Sequence, residues 1–135
     1  MKKLFLLGML LISLSVSAQQ IDRFAFTTMS TCTYNQYTED WNAWENHTSI
    51  YLNATIDYAN KLITLYCNDG PYIVKYYDVQ QYTTEEAFGN FIFKGYDSAG
   101  TYVIVIASAL KTYNVTLSIA YPGSMMFAYN GKLIE

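Results

Sequence analysis

Between Thr33 and Thr48 the chain reads TYNQYTEDWNAWENHT, the longest connection between expected strands, and long loops in compact domains are often functional. This stretch holds both tryptophans, Trp41 and Trp44, the sole histidine, His47, and the carboxylates Glu39, Asp40 and Glu45. Tyr34 and Tyr37 stand beside them. Flat rings next to amide and carboxyl groups can grip a sugar or another partner, the rings giving contact area and the polar groups fixing orientation. Trp41, Trp44, Tyr37, Tyr34, Glu45 and His47 are therefore the candidate binding residues. The same tryptophans can serve structure instead. They can fold back to plug an open barrel, or, three apart, bury together on one face of a helical turn.

Catalytic chemistry finds less support in these residue types. A pair of carboxylates flanking a glycosidic bond can hydrolyse it, and Glu39, Asp40 and Glu45 are the residues such a weak glycan-active alternative would use. Solvated loop carboxylates are the plainer reading. A serine or cysteine nucleophile needs a base, and only His47 is on offer. No G-x-S-x-G element or phosphate-binding glycine loop occurs. One histidine and two distant cysteines lack zinc spacing. Asp57, Asp69 and Asp97 fall in turn sequences, where aspartate bonds its own backbone. The expectation is a non-catalytic chain, with no catalytic residue, metal or cofactor assigned.

Cys32 and Cys67 are the only cysteines and form a candidate disulfide. Closing a loop of about 35 residues would stabilise by roughly 3–4 kcal/mol in the chain-entropy account. Strand spacing opposes it. First and third strands of a meander lie about 9.5 Å apart, and a bridge needs Cα atoms roughly 4.4–6.8 Å apart. A bridge where the chain leaves the sheet and two small buried thiols remain the alternatives.

The 135 residues divide into a leader and one domain. Met1-Lys2-Lys3, the apolar run Leu4 to Leu14 and the small residues Val16-Ser17-Ala18 have the order of a secretory signal peptide, giving a cleaved segment 1–18 and a single β domain 19–135. The apolar run is shorter than the ~20 residues a membrane helix needs, so export to the periplasm or the medium is expected, without stable membrane insertion after cleavage. Removing Lys2 and Lys3 leaves six basic against eleven acidic residues, a net charge of −5. The six, from Arg23 to Lys132, are scattered singly, whereas a nucleic-acid binder clusters cations against phosphates. Nucleic acid is excluded as a partner; an unknown protein or a glycan is expected. Three Asn-x-Thr triplets, at Asn46, Asn53 and Asn114, read as chance in an Asn- and Thr-rich chain.

Positioning falls to strands. Fourteen tyrosines suit pleated surfaces, and apolar residues alternate with polar ones. Tyr113, Val115, Leu117, Ile119 and Tyr121 share a face, as do Ile50, Leu52, Ala54 and Ile56. Val103 to Ile106 are apolar on both faces and predict a strand covered on both sides or facing a partner. Turn sequences separate strands near 23–32, 49–57, 61–67, 72–81, 90–96, 101–108, 112–121 and 125–130. Thr83-Thr84-Glu85-Glu86 has a capping-box pattern and predicts one helical turn. The fold expected is all-β, about eight antiparallel strands in a meander forming a small barrel or strongly curled sheet. A hollow barrel lined by Phe91, Phe93, Ile104, Ile106, Leu117 and Ile119 would bind a small apolar ligand. Cross-strand aromatic pairs account for tyrosines such as Tyr72, Tyr76, Tyr51 and Tyr66; contact with a partner is the other use.

The Ala18-Gln19 junction and the tyrosine-rich hairpins after it resemble those of many short exported bacterial proteins of unknown function. The resemblance spans the whole chain and implies export and a small β fold, with no activity and no site residues. The lipocalin G-x-W motif is missing, since no glycine stands two before Trp41 or Trp44. Periplasmic lysozyme inhibitors share size and barrel form, an architectural likeness that does not fix function.

Overall fold

The computed structural model describes residues 21–112 and 114–134; the expected leader, Gln19 and Tyr113 lie outside them. The described residues form nine strands: β1 (Ile21–Asn35), β2 (Asp40–Trp41), β3 (Glu45–Asp57), β4 (Leu62–Cys67), β5 (Gly70–Tyr82), β6 (Ala87–Asp97), β7 (Tyr102–Leu110), β8 (Val115–Tyr121) and β9 (Met125–Ile134). All pair antiparallel in the order β1-β3-β4-β5-β6-β7-β8-β9. β9 then returns to β1, from Arg23↔Ile134 to Thr33↔Met125, and closes an eight-stranded barrel. β2 adds a short flap on the end of β1, through Tyr34↔Trp41 and Asn35↔Asp40. The all-β barrel expected from alternation is the fold observed.

The alternation works because each strand has one face inside. Val115, Leu117 and Ile119 of β8 are buried while Thr116 and Ser118 face outward. In β3, Ala54 and Ile56 are buried, Ile50 and Leu52 pack against the core, and Tyr51 is exposed. Phe24, Phe26, Phe91 and Phe93 fill the lower and middle barrel. Each such ring contributes about 1.5–3 kcal/mol by leaving water. The lower end carries the Asp57–Leu62, Tyr82–Ala87 and Leu110–Val115 turns; the upper end carries Cys67–Gly70, Asp97–Tyr102, Tyr121–Met125 and the β1–β2 hairpin. Asp57 and Asp97 bond their own turns, Asp57 accepting from Asn60 N at 3.1 Å and Asp97 from Thr101 N at 2.9 Å.

Curvature comes from bulges set beside glycines. β1 carries an extra residue at Thr27, and β5 one at Tyr77. Opposite them stand Gly131 and Gly95. A Cβ on Gly131 would lie 2.6 Å from Phe26 Cα, and one on Gly95 2.7 Å from Tyr76 Cα. Only a residue without Cβ lets the neighbouring backbone come so near, and the bulge then bends the sheet at that point. The Thr27 bulge also switches parity, so Phe24 and Phe26 point inward below it while Ser30 and Cys32 fall in the outward row above it.

Several expectations need correction. No helical turn forms at Thr83–Glu86. The segment bends straight into β6, and Glu86 O accepts from Lys111 N at 2.9 Å. No apolar helical run follows the capping pattern, so strand pairing takes those backbone groups. The Thr33–Thr48 stretch is not one long loop, because β1 continues to Asn35 and β3 starts at Glu45. Ile104 and Ile106 do not line the interior; they stand half-buried on the outer wall, while Val103 and Val105 point in. Cys32 and Cys67 are free thiols, not a bridge. Cys67 packs against the core inside the barrel, whereas Cys32 lies in the outward row of β1, so the wall separates them.

Candidate functional site

The outer face of the β1–β9–β8 seam is unusually polar. Register places Thr28, Asn130 and Thr116 in one cross-strand row, and Ser30, Ala128 and Ser118 in the next. Because β8 and β9 send their apolar residues inward, these rows face out. β3 extends beside them, and Trp44, His47, Thr48 and Ser49 complete a groove of about 560 Å³. Among the described residues six hydroxyl side chains, one amide, one imidazole and one indole line it, with no carboxylate, lysine or arginine.

A bulge aims the histidine. Between Met29↔Thr48 and Thr31↔Glu45, β3 has two residues, Asn46 and His47, against Ser30 alone on β1. Asn46 takes up the irregularity with φ at 55°, a left-handed conformation asparagine tolerates. Its side-chain amide donates to Thr31 Oγ1 at 3.0 Å. His47 Nδ1 then lies 2.6 Å from Ser30 Oγ. An imidazole carrying its proton on Nε2 accepts the Ser30 proton at Nδ1 and turns Nε2 away as a donor. Ser30 is 7% exposed and fixed by this bond. Among the described residues no carboxylate holds the other imidazole nitrogen.

The six candidate binding residues separate. Trp44, 41% exposed, and His47 meet at the groove. Trp41 instead packs edge-on against Tyr34, with centroids 5.3 Å apart. That pair is anchored to the upper turn, since Tyr34 N donates to Ser124 O at 2.8 Å and Gln36 Nε2 to Gly123 O at 2.9 Å. Tyr37, 99% exposed, sits on the hairpin, where Asn35 Oδ1 accepts from its N–H at 2.8 Å. Glu45 is exposed and does not line the groove. Neither tryptophan joins the barrel core, and no helical turn pairs them. Among the described residues no group of three or more His, Cys, Asp or Glu gathers as a metal would need.

Sequence reasoning missed Thr28, Ser30, Thr116, Ser118 and Asn130. A second cavity, of about 350 Å³, lies inside the upper mouth; of the residues expected to line a hollow barrel Ile119 reaches it, while Phe91, Phe93 and Leu117 are packed in the core. Ile119, Met125 and Phe127 form its apolar wall, with Tyr72, Tyr121, Tyr129 and Cys67. Tyr72 and Tyr121 bridge the mouth with hydroxyls 2.6 Å apart, and Tyr121 donates to Asp97 Oδ2 at 2.9 Å. Burial pushes the Tyr129 phenol up to about 12 and raises the Cys67 thiol. At the opposite end Tyr58 donates to Asp22 at 3.1 Å, closing the bottom. Tyr76, between the ends, has a hydroxyl sealed from solvent with no partner among the described residues. Comparison of this chain with known protein families, with characterised proteins and with solved structures finds no match in any of the three.

Proposed function

We propose that this chain is an exported, non-catalytic β-barrel domain that binds a neutral glycan in the groove beside Trp44 and His47. The lining carries the reading: one exposed indole and one imidazole beside a floor of hydroxyl and amide groups, with no carboxylate, lysine or arginine among the described lining residues. A sugar ring presents an apolar face, which suits the indole, and a rim of hydroxyls, each both donor and acceptor. Serine, threonine and asparagine side chains match such a rim. The lack of lining carboxylates argues for binding without hydrolysis, which needs a pair across the scissile bond. Export rests on the leader-like order of Met1 to Ala18.

A glycan array probed with the purified domain, followed by calorimetry on the hits, tests this reading. The parent is expected to bind neutral oligosaccharides. Trp44→Ala is expected to lose at least about tenfold in affinity, the scale of one buried aromatic contact, with an unchanged melting curve. Binding that survives this substitution and Asn130→Ala would refute the groove as the site. An empty array together with capture of a protein through the same residues would replace the glycan with a protein partner.

A further inference from the structure

The cavity inside the upper mouth stands apart from the outer groove, on the other side of the barrel wall. We propose that it is a second binding site, for a small, neutral, largely apolar molecule carrying one hydroxyl group. Its polar atoms decide the class. Tyr121 has a single hydroxyl proton and donates it to Asp97. Tyr72 must therefore donate its own proton to Tyr121 across the 2.6 Å contact, which leaves a Tyr72 lone pair as acceptor. Tyr129 is 8% exposed, lines the cavity and has no hydrogen-bond partner among the described residues. Its hydroxyl is not sealed in protein as that of Tyr76 is, so it opens into the cavity.

Among the described residues the site thus offers an unpartnered donor, Tyr129 O–H, and an accepting lone pair on Tyr72 O, above an apolar wall of Ile119 and Phe127. A ligand hydroxyl satisfies both at once, accepting from Tyr129 and donating to Tyr72. A ketone or ether satisfies only the first. A carboxylate meets no cation in the lining and faces Asp97 at the end of the tyrosine chain, so like-charge repulsion excludes it. The volume, about 350 Å³, is at the lower end for small-molecule sites. At ~30 Å³ for each water-sized group it holds on the order of ten heavy atoms. A phenol with a short alkyl tail has that size and pattern.

The test is calorimetric titration of the purified chain with 4-propylphenol, its methyl ether and 4-propylbenzoate. The phenol is expected to bind one-to-one, the ether about tenfold more weakly, as one hydrogen bond with a desolvated partner would give, and the benzoate not at all. Tyr129→Phe, which removes the hydrogen bond that both ligands accept, is expected to weaken phenol and ether alike by about tenfold. Cys67→Phe, which fills the cavity, is expected to abolish both, and Trp44→Ala to change neither. Equal affinity for phenol and ether in the parent, indifference to Tyr129→Phe, or no phenol binding up to about 1 mM would each overturn the proposal.

Discussion

Replacing Gly131 by alanine tests whether the barrel is held shut by close backbone contact. The new Cβ would lie 2.6 Å from Phe26 Cα and nearer still to the Ala25 carbonyl oxygen. Carbon atoms rest at about 3.5–4.0 Å, so β1 and β9 must part by roughly 1 Å. Ladder bonds near 2.9 Å then stretch to about 4 Å, beyond useful length. Losing two such bonds costs about 2 kcal/mol, and residual crowding brings the total to about 2–4 kcal/mol. Gly123→Ala separates this from simple backbone strain. Gly123 has φ at 76° and nothing within 4 Å of a Cβ, so its substitution costs only about 1–2 kcal/mol. Urea unfolding reads both, as a fall in midpoint at constant m-value. If Gly131→Ala is no more destabilising than Gly123→Ala, close approach at the seam is not what Gly131 provides.

Tyr76→Phe removes a buried hydroxyl that has no partner among the described residues, and is expected to raise stability by about 1–3 kcal/mol in the same urea assay. Unfolding followed against pH should give a plateau with two falling edges. The Asn60 side chain and backbone hold the Asp57 carboxyl below its ordinary value, and the Thr101 backbone N–H does so for Asp97; their contribution is present at neutral pH and is lost as pH falls below about 4. Tyr76 and Tyr129, pushed up to about 12 by burial, contribute fully below the ordinary tyrosine value of about 10, and that contribution is lost as pH rises toward 12; flat stability up to pH 12 would contradict their burial. Native labelling with a maleimide should modify Cys67 slowly and Cys32 not at all, because burial raises both thiols and Cys32 is the more enclosed; equal labelling would mean that Cys32 is not shielded on the outer wall.

Strands with one wet face were legible in the sequence. Ile50, Leu52, Ala54 and Ile56, and again Val115, Leu117 and Ile119, alternate with polar neighbours because the barrel wall has an inside and an outside. The ends of β1 and β3 were not legible. Thr31, Thr33, Glu45 and Thr48 are polar on either face, so strand pairing there leaves no periodic mark. Ile104 and Ile106 misled because a half-buried outer wall tolerates the apolar residues that a covered sheet would require. The groove was half visible: Trp44 and His47 stand close in sequence, but Thr28, Thr116 and Asn130 meet only when the barrel closes. The parity switch at Thr27, which decides where Ser30 and Cys32 face, has no counterpart in residue type. Tyr72 read as an ordinary cross-strand aromatic and Tyr121 as one residue of an alternating strand, and only their convergence with Tyr129 at one mouth distinguishes them.

The seam between β1 and β9 also governs the route to the folded state. Phe24 pairs with Leu133, nearly the full described length away, while the other ring pairings join strands adjacent in the ring order and close in the chain. A meander can therefore assemble hairpin by hairpin, yet it keeps two unpaired edges until its last strand arrives. Contacts of such long range place folding among the slower small domains, on the order of milliseconds to seconds. During that interval the edges of β1 and β9 are templates for pairing with other copies. Once Gly131 lets the two backbones meet, both templates vanish together, and the step that completes the polar groove is the step that ends exposure to aggregation.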